Sequence, residues 1–293
     1  MNAKTVKEIA RTLSLDAVGI AKLPLPQELS EILAATPAVP FTPPETSART
    51  DTEALLSGAR SAIVVLFPYK IETEEPAANI AYYARAKDYH KINHTYLSRL
   101  SLLLAEKEPD AAFYPVCDTS PMVDRYLAYL AGLGFYGKNH CLIHPKYGSY
   151  FTIGALLTTL PLTPDTPLSI SCGECLACIA ACPGRALTDT EMNQNRCKSY
   201  LTQKRELTPE EEKIISRTLY IFGCDKCQAA CPYNQTAAPT PLPDLQSSRI
   251  PRLTKEDLET LSTRGFERKY KDYAFAWRGK KILVRNMELT EKL

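Results

Sequence analysis

The sequence has no long apolar run and almost no excess of charge. Its 293 residues include 35 Lys and Arg against 33 Asp and Glu, so overall charge demands no polyelectrolyte partner. No apolar segment approaches the roughly 20 residues of a membrane-spanning helix, and residues 1–21 lack the continuous apolar stretch of a signal peptide. We therefore expect a cytoplasmic protein with no membrane partner.

The few surplus charges are distributed unevenly along the chain. From Arg249 to the end there are twelve Lys and Arg against seven Asp and Glu, whereas the preceding part is slightly acidic. A basic segment of this kind suits contact with phosphate groups, although a solvated helical face explains it equally well.

Eight of the ten cysteines form one pattern. The run C-x2-C-x2-C-x3-C-P, from Cys172 to Pro183, is the spacing that holds iron–sulfur clusters in bacterial two-cluster ferredoxins. A second, shorter run ends in Cys231-Pro232, and Cys197 lies between the two runs. The pattern therefore predicts two [4Fe–4S] clusters and a role in electron transfer.

Two other roles for these cysteines stay open on spacing alone. Four close cysteines can bind zinc, although zinc sites are usually closed by two C-x2-C pairs. A disulfide framework would need an oxidising compartment, and disulfide-dense domains are usually much shorter than this chain. Cys117 and Cys141 lack partners at ligand spacing, so we interpret them as buried or incidental thiols.

The two-cluster arrangement also predicts which thiolates share a cluster. In such proteins the last cysteine of each run binds the neighbouring cluster, and Cys197 replaces the cysteine that the second run lacks. The first cluster is then bound by Cys172, Cys175, Cys178 and Cys231. The second cluster is bound by Cys224, Cys227, Cys182 and Cys197.

The rest of the chain alternates between predicted helices and strands. Apolar periodicity predicts an amino-terminal helix, a strand at 17–21, a buried strand at 61–67, a helix at 89–105, a strand at 113–117 and helices after 254. The proline- and threonine-rich stretch 24–50 is expected to be a loop or irregular cover.

The predicted fold is mixed, α+β or α/β, and has three parts. They are an α/β domain over residues 1–167, a ferredoxin-like two-cluster domain over 168–246 and a basic helical segment over 247–293.

Asp118 follows the strand predicted at 113–117, where a helix is expected to begin. Ser120 suits a helix N-cap with Pro121 at the first helical position, and Met122 and Tyr126 give that helix an apolar face. The junction between a strand and a helix is a common position for a catalytic side chain. Capping is the alternative role for Asp118.

Motifs beyond the cysteines resemble those of the epoxyqueuosine reductase family, the cobalamin-dependent iron–sulfur enzymes that complete queuosine in transfer RNA. The resemblance covers essentially the whole chain. The matching motifs are 16–21 (DAVGIA), 83–85 (YAR), 88–91 (DYHK), 118–121 (DTSP), 132–139 (GLGFYGKN), 148–151 (GSYF), 222–225 (FGCD), 231–234 (CPYN), 278–280 (RGK) and 285–286 (RN).

This resemblance implies a reaction, its cofactors and a partner. The reaction is the two-electron removal of the epoxide oxygen from epoxyqueuosine at the tRNA wobble position, with release of water. The cofactors are the two [4Fe–4S] clusters and a cobalamin bound base-off above the α/β domain. The chain has no Asp-x-His-x-x-Gly segment for a lower histidine ligand, which is compatible with that form. We further expect a monomer that is reduced by an unidentified low-potential electron donor.

The resemblance also implies roles for individual residues. Asp118 matches the family's proposed proton donor, a role that typically contributes roughly 10²–10⁴-fold, and burial beside a corrinoid is expected to raise its pKa. His90 and Tyr89 match supporting residues of the pocket. The expected cobalamin contacts are Gly137, Lys138, Asn139 and Ser149.

The chain also departs from the family pattern. Longer members carry a helical-repeat extension that helps to hold the tRNA, and this sequence stops at Leu293, so we expect a short form. Cys117 and Asp124 stand where the family commonly has Val and Glu. The phosphate contacts are then expected from basic residues of the tail, namely Arg264, Arg268, Lys269, Lys271, Arg278, Lys280 and Lys281.

Two other functions stay open on the sequence. One is a related corrinoid reductase that acts on a small molecule, as the reductive dehalogenases do. The other is an electron carrier without a substrate pocket of its own. Asp118 and His90 favour a pocket over a pure carrier, which would need neither residue.

Overall fold

The computed structural model describes residues 1–36, 40–73, 75 and 77–291. An antiparallel sheet and the helices that cover it make up its first half. The strands are β1 (Val18–Lys22), β2 (Ser61–Pro68), β3 (Phe113–Val116), β4 (Phe135–Tyr136), β5 (Leu142–Ile143) and β6 (Phe151–Thr158). Four of them form one sheet in the order β1-β2-β6-β3, and β4 pairs with β5. Every pairing is antiparallel. The structure therefore mixes helices and strands, as predicted, around an antiparallel sheet.

Helices surround this sheet and make up most of the regular structure in the second half. The α-helices are α1 (Ala3–Thr12), α2 (Gln27–Ala35), α3 (Thr46–Thr50), α4 (Tyr89–Ala105), α5 (Asp124–Leu130), α6 (Ala177–Ala181), α7 (Lys198–Leu201), α8 (Pro209–Ile215), α9 (Lys226–Ala229), α10 (Pro232–Gln235), α11 (Pro243–Gln246), α12 (Lys255–Glu259), α13 (Thr263–Tyr270) and α14 (Lys280–Thr290). Short 3₁₀ turns lie at Tyr82–Ala84, Gln194–Arg196 and Ala274–Ala276. No helix in the described residues has the length and apolarity needed to cross a membrane.

The sheet is covered on both faces, which explains why β2 is apolar along its whole length. Alternate residues of β2 point to opposite faces. Ile63 belongs to a core shared with α1 and α4, whereas Val64 belongs to a core shared with α5. All eight residues of β2 are buried. On the side of β6 away from β2, β3 pairs with β6, and the chain continues from β3 to Asp118.

A third core joins the tail of the chain to its middle. Ile80 and Ala84 pack with Phe222 of the cysteine-rich part and with Phe266 and Leu283 of the tail. Leu242 and Leu245 pack instead in the core around α1 and α4. Residues from both sides of the predicted domain boundaries at 167 and 246 therefore share the same cores. The division into three parts stays a prediction.

Most of the predicted elements are found, and two predictions are wrong. The stretch 24–50 is not merely a loop, because α2 and α3 lie within it; positions 37–39 of that stretch lie outside the described residues. The helix after Asp118 begins at Asp124 rather than at Pro121. Ser120 accepts a hydrogen bond from the amide of Met122 (3.4 Å) and caps no helix.

Candidate active site and cluster cavities

The four cysteines predicted for the first cluster line one cavity of about 350 Å³. Three come from the first run, and Cys231 comes from the end of the second run, so the crossing expected of a two-cluster arrangement is present in the geometry. The remaining lining includes Lys138, Asn139 and Tyr233. Nδ2 of Asn139 is buried and has no hydrogen-bond partner among the described residues. A cluster sulfur in this cavity would give that amide an acceptor.

The other four predicted ligands also lie near one another. The charge of Cys182 raises the pKa of Cys197, and the charge of Cys197 raises the pKa of both Cys224 and Cys227, in each case after the larger effect of burial. Helices α6 and α9, which carry one cysteine of each run, pack together. The eight thiols are thus brought into one region from segments far apart in sequence, and the sharing of one cluster by Cys182, Cys197, Cys224 and Cys227 stays a prediction.

This cysteine geometry suits clusters better than the two alternatives. No three Cys, His, Asp or Glu side chains in the described residues converge closely enough to hold a single metal ion. A zinc site needs its ligands around one ion, whereas a cubane spreads its thiolates more widely because four irons lie between them. All ten cysteines fall within the described residues, and each is a free thiol.

Asp118 lies just beyond β3 with a left-handed backbone, at a φ of 43°. A non-glycine residue in this region is strained, although Asp and Asn tolerate it better than other residues do. Its amide donates a hydrogen bond to Oδ2 of Asp124 at 3.0 Å, and this contact holds the turn in place. Strain of this kind is often found at functional sites.

The carboxylate of Asp118 accepts two side-chain hydrogen bonds from the start of α4. Oδ2 accepts from the hydroxyl of Tyr89 at 2.7 Å and lies 2.9 Å from Nε2 of His90. The other ring nitrogen, Nδ1 of His90, lies 2.7 Å from Oδ1 of Asp88, which is also the N-cap of α4. Asp88, His90 and Asp118 therefore form a continuous chain of hydrogen bonds, and Tyr89 stacks on the imidazole at 4.1 Å.

The proton of this chain is held mainly by His90. Partial burial lowers the pKa of His90, but its hydrogen bonds with Asp118 and Asp88 outweigh burial and raise that pKa to about 9. Desolvation raises the pKa of Asp118, but the hydrogen bonds from His90 and Tyr89 bring it below its ordinary value. Without a corrinoid, Asp118 is therefore paired with His90, and the expectation that burial beside a corrinoid raises the pKa of Asp118 stays a prediction.

Asp124 is a second carboxyl group beside this chain. Burial and the nearby charge of Asp118 raise the pKa of Asp124 to about 7. It lines a cavity together with Arg125 and Arg49. The sequence marked Asp124 only as a departure from the family pattern, and its contact with the amide of Asp118 shows that it supports the strained turn.

The cleft around Asp118 consists of two adjoining cavities that share five residues, namely Phe41, Thr42, Tyr89, Asp118 and Arg125. The inner cavity has a volume of about 350 Å³ and reaches Cys141 and Gln228. The outer cavity has a volume of about 720 Å³ and reaches Cys197, a predicted ligand of the second cluster. One continuous cleft therefore connects the carboxylate of Asp118 with the second group of thiols.

Three of the expected cobalamin contacts lie elsewhere. Lys138 and Asn139 line the first cysteine cavity rather than the Asp118 cleft. A Cβ atom on Gly137 would lie 2.5 Å from Ile143, which borders that same cavity. The hairpin of β4 and β5 thus lies beside the first cysteine run, and the contact of these three residues with cobalamin stays a prediction.

Ser149, the fourth expected contact, does line the inner cavity. It is buried, and its hydroxyl lies within hydrogen-bond distance of Asn234 Nδ2 (2.9 Å) and Gln228 Nε2 (3.1 Å). Oδ1 of Asn234 also accepts from the amide of Ser149 at 2.6 Å. These hydrogen bonds connect the second cysteine run to the wall of the cleft.

Sequence reasoning missed Asp88, Gln228 and Asn234 as site residues. Asp88 carried a usable signal, since it directly precedes Tyr89 and His90 at a helix start, where an Asp is a preferred N-cap. Gln228 and Asn234 carried none, because their contacts with Ser149 join positions that are far apart in the chain.

Fold and site together define a class of protein, an oxidoreductase in which a two-cluster iron–sulfur part is fused to a substrate-binding part. Two family models match the chain. One, described as "4Fe-4S double cluster binding domain", matches residues 171–234, and the other, described as "Epoxyqueuosine reductase QueG, DUF1730", matches residues 49–124.

Relatives and a solved structure agree with these matches. An epoxyqueuosine reductase of Bacillus anthracis is 34% identical, over 94% of this chain and 76% of its own. One of Prochlorococcus marinus is 36% identical, over 87% of this chain and 86% of its own. A crystal structure of epoxyqueuosine reductase with an epoxyqueuosine-modified tRNA-Tyr stem loop superposes with a TM-score of 0.88 at 28% identity, over 98% of this chain and 80% of that one. The chain belongs to the epoxyqueuosine reductase family.

Proposed function

We propose that this protein reduces epoxyqueuosine in tRNA to queuosine. The reaction takes up two electrons and two protons, breaks both carbon–oxygen bonds of the epoxide, forms a carbon–carbon double bond and releases the oxygen as water. The observation that carries the proposal is the single cleft that contains both Asp118 and Cys197. A proton source and a route for electrons thus meet at one place, a combination that a pure electron carrier does not need.

The proton for the departing oxygen comes from the pair formed by Asp118 and His90. His90 stores the proton on Nε2, hydrogen-bonded to Oδ2 of Asp118. As negative charge develops on the departing oxygen, Asp118 takes the proton from Nε2 of His90 and passes it to that oxygen, and solvent supplies the second proton of the released water. Asp88 accepts from Nδ1 and keeps the imidazole in the required orientation. Such general acid catalysis typically contributes roughly 10²–10⁴-fold.

The residues of the cleft fit a corrinoid, which would supply the reducing power for cleavage of the carbon–oxygen bond. The inner cavity combines apolar walls from Leu142 and Ile153 with polar groups of Gln228 and Arg49. Nε of Arg49 is buried without a hydrogen-bond partner in the described part of the chain, and an amide oxygen of a corrinoid would satisfy it.

The substrate belongs to tRNA because the related structure at 28% identity was solved with an epoxyqueuosine-modified tRNA stem loop. The volume of the outer cavity, about 720 Å³, and the surplus of basic residues after Arg249 are compatible with such a substrate. We further propose a monomer that works in the cytoplasm, where its thiols stay reduced, and that receives electrons from a low-potential donor.

Complementation tests this function directly. A bacterial strain without its own epoxyqueuosine reductase accumulates epoxyqueuosine, and expression of this protein is expected to restore queuosine in hydrolysed tRNA, measured by mass spectrometry. The Asp118→Asn variant, expressed at the same level, is expected to leave epoxyqueuosine unreduced. If the unaltered protein accumulates with both clusters and the epoxide persists, the proposed substrate is wrong.

A further inference from the structure

Four residues form a cluster at the rim of the outer cavity, which we call the rim platform: the exposed Phe41 and Trp277 and the half-buried Tyr200 and Arg278. The guanidinium of Arg278 lies 3.8 Å from the ring centroid of Trp277 and 4.9 Å from that of Phe41. The ring of Phe41 also packs edge to face against Tyr200 at 5.4 Å and against Trp277 at 5.6 Å. Trp277 is nevertheless 53% exposed and Phe41 is 57% exposed, so a large aromatic surface remains open to solvent.

The rim platform also carries positive charge that no carboxylate of the described residues neutralises. The arginine ion pairs of this part of the chain involve only Arg85 and Arg249. Nε of Arg278 is buried without a hydrogen-bond partner there. Burial lowers the pKa of Arg278, and the charge of Arg205 lowers it further. An anion bound at Arg278 would give its buried Nε an acceptor.

The rim platform lies on the path into the active site. Trp277, Tyr200 and Phe41 line the same cavity as Asp118. A nucleotide whose base enters the cleft toward Asp118 leaves its neighbours in the strand at this rim. Single-stranded RNA loops are commonly recognised by stacking of splayed bases on aromatic rings and arginine planes, with phosphates bound by arginine.

We propose that the rim platform binds the nucleotide next to the one being reduced, with its base stacked on Trp277 and its phosphate on Arg278. This inference rests on the proposed function and adds a recognition site for an unpaired RNA nucleotide outside the reacting centre. It predicts a preference for unpaired loops over duplex RNA, because a paired base has no free face to offer.

Trp277 is the one tryptophan of the chain, so its fluorescence reports on this surface alone. The cluster-loaded protein is titrated anaerobically with a synthetic tRNA anticodon stem-loop that lacks the modification, and with an RNA duplex of equal length. We expect saturable quenching by the stem-loop and little change with the duplex. Arg278→Ala is expected to weaken stem-loop binding roughly tenfold and to reduce its dependence on salt concentration.

The matched control is Arg11→Ala, which removes an exposed arginine of α1 that lines neither cavity of the cleft. It is expected to change affinity far less than Arg278→Ala. Equal losses in the two variants would overturn the inference, since they would indicate only general attraction to phosphate. Binding of the stem-loop, measured by filter retention, without any change in tryptophan fluorescence would overturn it as well.

The same experiment separates this inference from the proposed function. If the stem-loop quenches Trp277 as described but an epoxyqueuosine-containing tRNA is not reduced, the rim platform stands and the assigned reaction fails. If the tRNA is reduced normally and Trp277 is not quenched, the reaction stands and the rim platform is refuted.

Discussion

Replacing Asp118 with asparagine tests the proton source with little disturbance of the fold. Asp118 adopts a φ of 43°, a region that asparagine also tolerates, whereas alanine at this position would add backbone strain of roughly 1–2 kcal/mol. The amide keeps the shape of the side chain and can still accept from Tyr89 and His90. The variant therefore removes one charge and one transferable proton.

The expected loss follows from the two roles of Asp118. Without the carboxylate, His90 loses one of the two hydrogen-bonded acids that raise its pKa to about 9, and this pKa should fall toward its ordinary value. The departing oxygen also loses its direct proton donor. We expect turnover to fall by roughly 10²–10⁴-fold, the usual contribution of a positioned acid.

The assay compares single-turnover rates of Asp118→Asn, the unaltered protein and the control Asp110→Asn, which changes an exposed acid remote from the cleft. Iron content, cobalamin binding and melting temperature should agree among the three proteins. NMR titration of His90 supplies a readout independent of activity. Turnover within threefold of the unaltered protein, with the clusters intact, would refute the role of Asp118 as acid.

Three further predictions concern pH, the clusters and the packing of the site. Turnover should decline as pH rises through about 9, because His90 then loses the proton that it holds below that pH; a profile flat to higher pH would contradict this storage role. Cys197→Ala should lose about half of the iron, since only the second cluster depends on it, and unchanged iron content would exclude the ligand assignment. Gly148→Ala would bring a Cβ atom within 1.9 Å of Oδ1 of Asn234 and should destabilise the fold by about 1–3 kcal/mol in thermal unfolding. Gly58→Ala is its control, since Gly58 has a similarly positive φ but its nearest neighbour lies at 3.7 Å, and equal losses would rule out the clash as the cause.

The parts of the fold that the sequence predicted well are those specified by local periodicity. The helix expected over 89–105 is α4 with the same bounds, and the strand expected over 61–67 is β2 with one added residue. Both segments carry long apolar patterns that fit only one type of secondary structure. By contrast, α2 buries only Leu29 among its nine residues, so its sequence lacked the strong apolar stripe on which the prediction depends.

At the site, too, local motifs identified residues, whereas contacts between residues far apart in the sequence were not predicted. Tyr89, His90 and Asp118 were named from motifs, but the lowered pKa of Asp118 was not foreseen, because it depends on hydrogen bonds across 28 and 29 positions of sequence. The place of Lys138 and Asn139 beside the first cysteine run was not foreseen either, since nothing in a motif indicates which way the hairpin of β4 and β5 turns. Spacing did indicate that Cys231 joins the first run, and these four cysteines line one cavity.

The most direct test of the account uses the purified protein, with both clusters and cobalamin bound, and an epoxyqueuosine-modified tRNA stem-loop. Under anaerobic conditions with a low-potential reductant, mass spectrometry of the digested RNA follows the modified nucleoside. We predict conversion to queuosine, with loss of one oxygen atom, that requires the iron–sulfur clusters, cobalamin and the carboxylate of Asp118 together. An epoxide that persists although iron, sulfide and cobalamin are fully present would contradict the account.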